Sequence, residues 1–207
     1  MSGSTRAALL KVAENKLRSK GYSAFSYADL ATTIGIRKAS IHHHFPTKEC
    51  LGQELIKDSI IRFDATILSI EDADEDSMLR LRAFSRLFVD SGNEGLLPLC
   101  GALAAEMAAL PLSLQVLTRV FFETQLDWLQ RTISEVAIQK GWILSKPAKS
   151  YAFMLLSVLE GECLIDWTLG RSADPLAGFD YILESLEQSV VMPARQIRHT
   201  KSKQPSC

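Results

Sequence analysis

Apolar residues recur along most of the chain at helical spacing, and no stretch of useful length alternates with the period of a strand. Leu9, Leu10, Ala13 and Leu17 fall on one side of a helix that opens near Ser4 and stops at Gly21. Ser26 precedes a short apolar-patterned run, YADLATTI, and Asp29 stands three residues after it. That is an acidic variant of the capping box, so a second, short helix is predicted to end at Gly35. A third begins at Arg37 or Lys38 and must end before Pro46, because proline disfavours a helical residue ahead of it. Thr47 can cap a longer fourth helix, followed by the acidic turn EDADEDS. Further helices are predicted over 77–91, 96–109, 112–140, 147–170 and 175–190, separated by glycine and proline. The segment 193–207 is polar and basic and reads as a mobile tail.

With 207 residues, 47% hydrophobic and 23% charged, the chain is long enough for a small domain joined to a larger one. No signal peptide is read at the N-terminus, and the most apolar stretch is interrupted by Glu160, Glu162 and Asp166, so no membrane span is expected and the location is read as cytoplasmic. Cys50, Cys100, Cys163 and Cys207 form no CxxC and read as free thiols. The net charge of −1 hides an asymmetry. Residues 1–62 carry ten Lys/Arg against five Asp/Glu, whereas residues 63–207 carry thirteen against nineteen. A basic front on an acidic body points to a polyanionic partner for the front.

The histidine run IHHHF, 41–45, suggests a metal at first sight. Successive helical residues point about 100° apart, so His42, His43 and His44 spread over more than half the circumference. Zinc sites on helices use i, i+4 spacing, and Pro46 blocks that continuation; no metal is expected. A capped short helix, a turn with Gly35 and a second short helix with a basic start make instead a helix-turn-helix, whose second helix enters the DNA major groove.

Residues 6–56 resemble the TetR family of transcriptional regulators. An apolar first helix is followed by Gly21-Tyr22, a capped Ser26-x-x-Asp29-Leu30-Ala31, then Gly35-Ile36, His44-Phe45 and Lys48-Glu49-x-Leu51. The resemblance implies an all-α chain: a three-helix helix-turn-helix domain over 1–47 and a helical effector-binding and dimerisation domain over 48–192. It implies that Ser26 presents helix amides to a phosphate, and that Arg37, Lys38, Ala39 and Ser40 open the recognition helix. His42 takes a place where the family often has a phosphate-contacting tyrosine, His43 lies within reach of DNA, and Lys48 pairs with backbone phosphate. Two positions depart from the pattern. Arg37 stands where a capping Ser or Thr is common, and Cys50 where an acid often completes the cap begun by Thr47.

The expected partners are a double-stranded DNA operator, a second copy of the chain and a small-molecule effector, with no cofactor. Two half-sites are needed because one short helix reads only a few base pairs. Apolar residues at helical spacing, Phe153, Leu156, Leu164 and Trp167, then Phe179, Ile182, Leu183 and Leu186, mark the last two long helices as the interface. Effector contacts are expected from Phe84, Phe88, Cys100, Met107, Phe122, Trp128 and Glu160, with Phe121 alongside. Cys100 sits just after Pro98 near a helix start, which favours thiolate, so a thiol-based electrophile sensor is the alternative. An enzyme built on Cys100 or Glu160 has no supporting motif: GxSxG, a Walker loop and HExxH are all missing, and no catalytic residue is assigned. The expected function is a repressor released by its effector; an activator with the same headpiece fits the sequence equally.

Overall fold

In a computed structural model of the chain, residues 2–170 and 177–188 are described. The expected tail 193–207, with Cys207, lies outside them. Nine α-helices follow one another among the described residues, with no strand: α1 Ser2–Lys20, α2 Tyr27–Ile34, α3 Lys38–His44, α4 Lys48–Ala73, α5 Ser77–Asn93, α6 Leu99–Ala105, α7 Leu112–Lys140, α8 Ala148–Leu169 and α9 Ala177–Gln188.

The caps explain the first boundaries. The Ser26 hydroxyl accepts from the Asp29 N–H, and the Asp29 carboxylate accepts from the Ser26 N–H, which closes the capping box. Gly35 ends α2 in the left-handed region at φ 76°, where a β-carbon would be strained. Thr47 Oγ1 accepts from the Cys50 N–H at 3.1 Å, so the cap of α4 forms without an acid at position 50. Arg37 stands at the N-cap of α3 with no side-chain cap bond. One boundary differs from expectation. The helix foreseen over 96–109 is cut to α6, with Pro98 at its N-cap and a 3-10 turn over Met107–Ala109 behind it.

Two apolar clusters hold the helices. The first joins Leu9, Ala13 and Leu17 of α1, Leu30 of α2, Ile41 of α3 and Leu55 of α4 to Leu103 of α6 and Leu114 of α7. The start of α4 thus packs with the three helices before it, while its later turns reach the second cluster. That second cluster is built on α5, α7, α8 and α9 around Phe84 and Trp128. α7 runs against α4, α5, α6 and α8, and α6 lies on α1.

Part of the expected interface is core. Leu156, Phe179, Ile182, Leu183 and Leu186 are buried within the chain, in the second cluster. Phe153 and Leu164, by contrast, are 65% and 48% exposed, and Trp167 45%. The apolar spacing is helical as expected, but α8 has two apolar faces and α9 spends its own on α8. No helix among the described residues is long and apolar enough to cross a membrane.

Candidate DNA interface and effector cavity

The helix-turn-helix is α2 and α3, and its geometry is set from below by buried groups. The Tyr27 hydroxyl donates to the Phe45 carbonyl at 2.8 Å, tying the start of α2 to the end of α3; burial pushes this phenol up to about 12. Ile41 and Phe45 point into the first cluster. Opposite them, Arg37, Lys38, Ala39, Ser40 and His43 are exposed, and Arg37 and Lys38 have no ion pair among the described residues. Ser26 is exposed beside them in sequence order at the head of α2, its hydroxyl engaged by the capping box.

Two expected contact residues have partners of their own. The His42 ring lies 4.9 Å from the Tyr27 ring, and its Nδ1–H donates to the Pro46 carbonyl at 3.2 Å. This bond closes the end of α3 while the residue stays exposed. Lys48 is half-buried. Its ammonium sits 4.5 Å from the Tyr22 ring centroid and 4.4 Å from that of Phe25, and donates to the Phe25 carbonyl. Desolvation lowers its affinity for a proton. An ammonium held over two ring faces and one carbonyl anchors the α1–α2 loop to the head of α4. The sequence register located Lys48 at the right helix start, and only packing shows what the side chain does there.

Behind the headpiece lies a cavity of about 230 Å³ between α1, α4, α5, α6, α7 and α8. Of the seven expected effector residues it takes three, Phe88, Cys100 and Glu160. Phe84 and Trp128 are not on its wall. Their rings stack on each other, centroids 5.2 Å apart, and the Trp128 N–H donates to Glu71, so both are filled core. Met107 packs on the first cluster from the 3-10 turn. Phe122 lines a separate groove, with Phe153, Leu156 and Glu160. The aromatic stripe was therefore divided between core and cavity by helix rotation. Sequence reading missed Gln125 and the charged group at the cavity's side, Glu14, Arg18 and Arg62. A glutamine in mid-helix among apolar neighbours was the available signal.

Cys100 departs from expectation. It is 2% exposed, and its thiol accepts from Gln125 Nε2 at 3.1 Å. Burial, then the nearby Glu160 charge, pushes the thiol well up, away from thiolate. Proximity to a helix start is outweighed because the residue is buried and α6 is only seven residues long. Glu160 is the other inner group. Both its carboxylate oxygens are sealed from solvent without a hydrogen-bond partner, and burial pushes the carboxyl up to about 7.

α6 connects these two regions. Leu99 and Cys100 at its start line the cavity, and Glu106 at its C-cap accepts from the Ser23 N–H at 2.9 Å and from the Ser23 hydroxyl.

Residues 9–55 match the profile of the bacterial regulatory proteins of the tetR family. No curated protein is significantly similar to the chain in sequence. Among solved structures, a TetR-family transcriptional regulator from Agrobacterium tumefaciens superposes with a TM-score of 0.82 at 26% identity, over 92% of this chain and 100% of the other. A TetR transcriptional regulator from Legionella pneumophila gives 0.77 at 27% identity, over 90% and 97%. A transcriptional regulator from Saccharomonospora viridis in complex with choline shares the fold, with a TM-score of 0.72 at 18% identity over 92% and 100%. Residues 9–55 thus match the TetR-family DNA-binding domain, and the chain as a whole has the fold of these TetR-family transcriptional regulators.

Proposed function

We propose that the chain is a homodimeric repressor that leaves its operator when a small molecule fills the cavity. The observation that carries this reading is α6: one end walls the cavity and the other holds the α1–α2 loop through Glu106 and Ser23. A ligand that displaces Leu99 or Cys100 moves the helix that grips the headpiece. Differential binding to the two arrangements then shifts the population away from the DNA-competent one.

In the DNA-bound state, Arg37 and Lys38 read guanine edges, Ser40 contacts base or phosphate, and Ala39 lets α3 approach closely or meets a thymine methyl. The head of α2 at Ser26, with His42 and His43, meets phosphate. Lys48 acts through the loop it anchors. The dimer forms on the exposed face of α8, where Phe153, Leu164 and Trp167 are uncovered and Ser157 and Gly161 allow close approach. The Saccharomonospora viridis protein, described with choline, supports a small molecule as the occupant of this fold.

The test is a gel shift with DNA flanking the chain's own gene. Binding as a dimer, with base preferences relaxed by Arg37→Ala or Lys38→Ala, is expected. A protein with no preference for any such DNA over random sequence, or one unaffected by both substitutions, refutes the reading.

A further inference from the structure

Glu160 is an acid for which the chain has made room but supplied no partner. A β-carbon at position 101 would collide with Glu160 Oε2, so Gly101 of α6 is what lets the carboxylate lie there. Gln125 Nε2, a donor in the same wall, is spent on the Cys100 sulfur and the Phe121 carbonyl. The other charged side chains of the cavity are all paired, in part with Asp58 and Glu94 outside it. Arg62 pairs with Glu14 and, at 3.0 Å, with Asp58. Arg18 lies 3.7 Å from both Glu14 and Glu94 and donates to the Leu97 carbonyl at 2.8 Å. Glu160 is left as the charged group of this cavity with no partner among the described residues.

Resting on the reading of this cavity as the effector site, we propose that its ligand is a small organic cation, an ammonium on a compact apolar body, with Glu160 as counter-ion. A buried carboxylate is satisfied only by a cation or by strong donors. Phe63, Phe88 and Phe121 line the same space, and ring faces attract positive charge. The cavity volume suits one ring with a short arm. A metal ion does not fit: among the described residues no three His, Cys, Asp or Glu come together to hold one. An anionic ligand would be repelled by Glu160 and would have to draw Arg18 or Arg62 from their carboxylate partners, and a neutral apolar one would leave Glu160 unpaired.

Three probes on one skeleton decide the matter: 2-phenylethylamine, 2-phenylethanol and phenylacetate. Binding to the full chain is measured by calorimetry at about pH 8, above the ordinary carboxyl range. The amine should bind about tenfold or more tighter than the alcohol, as a charge-assisted bond exceeds a neutral one, and phenylacetate should bind weakest. Glu160→Gln should remove the advantage of amine over alcohol. Equal binding of amine and alcohol, tighter binding of phenylacetate, no amine binding at millimolar concentration, or an unchanged preference in Glu160→Gln overturns the proposal. If that variant does not fold, the ranking of the three probes on the native chain decides alone. Operator binding is measured on the same preparation without probe. Its failure would sink the repressor reading and leave the amine preference standing, whereas amine failure with intact operator binding sinks only the cation.

Discussion

Glu106 and Ser23 are 83 residues apart in sequence and joined by two hydrogen bonds, from the Ser23 backbone N–H and from its hydroxyl. The carboxylate also packs onto Gly21, where φ is 92° and a β-carbon would strike Glu106 Oε1. Position 21 therefore needs glycine twice, for its backbone and for the approach of Glu106.

Glu106→Ala should loosen this joint. A charge-assisted bond at a partly exposed site is worth on the order of 1 kcal/mol, so a small fall in midpoint is expected in denaturant titration. The sharper signal is local: the Ser23 amide should lose hydrogen-exchange protection while those in the middle of α7 keep theirs. Unchanged protection at Ser23 would mean the bond does not hold the loop.

Lys48→Ala removes an ammonium from two ring faces and a carbonyl, which should destabilise by on the order of 2 kcal/mol. DNA affinity should fall for all sequences alike because the headpiece is less well held. The salt dependence of binding should keep its slope, since no phosphate contact is lost. A slope flatter by about one unit would instead make Lys48 a direct phosphate contact.

Glu160→Gln tests the cost of the buried acid. Folding raises this carboxyl from its ordinary value to about 7, so between those limits the native state holds a proton that the unfolded chain has released. Stability contributed by the protonated form is full in acid and falls as pH rises through that window. Cys100 and Cys163 lie near enough to feel its charge, and Gln125, Arg18, Arg62 and Glu14 line the same cavity. Above neutral pH the glutamine variant should be more stable than the native chain, by up to about 3 kcal/mol, with little difference in acid. Thermal melts across that range check it, and a variant less stable at alkaline pH contradicts it.

The described thiols should alkylate in the order Cys50, then Cys163 and Cys100. Cys50 is half-buried. Cys163 is buried, donates to the Phe88 carbonyl and is pushed up to about 12, chiefly by desolvation. Mass-spectrometric mapping after brief N-ethylmaleimide treatment gives the order directly. Early modification of Cys100 would restore it as a reactive sensor.

Leu164→Glu and Leu186→Glu should fail differently. Leu164 is exposed in the single chain, so its replacement should leave helicity intact and yield a monomer by sedimentation. Leu186 is 2% exposed in the second cluster, and a charge there should unfold the packing of α9, at a cost of several kcal/mol. A dimer that survives Leu164→Glu would place the interface elsewhere.

The amino-acid sequence alone determined the helices, the helix-turn-helix and the register that brings Arg37, Lys38, Ala39 and Ser40 to the head of α3. These depend on neighbours within a turn or two: Ser26 on Asp29, Thr47 on Cys50, Gly35 on its own missing β-carbon. Even an unusual residue at position 50 did not disturb the cap, because the bond runs from its backbone. What only the tertiary structure decided was the use of each side chain. Whether Phe84 or Phe88 faced a cavity, and whether Leu164 or Leu186 faced solvent, turned on how each helix was rotated against its neighbours, which apolar spacing leaves open. Cys100 lost its expected reactivity to burial and to the nearby Glu160 charge, which outweigh the hydrogen bond from Gln125, 25 residues away. Lys48 met its rings and carbonyl across the α1–α2 loop. Local hydrogen bonds fix elements; desolvation and charge pairing, which fix function here, come from groups that only the packed chain brings together.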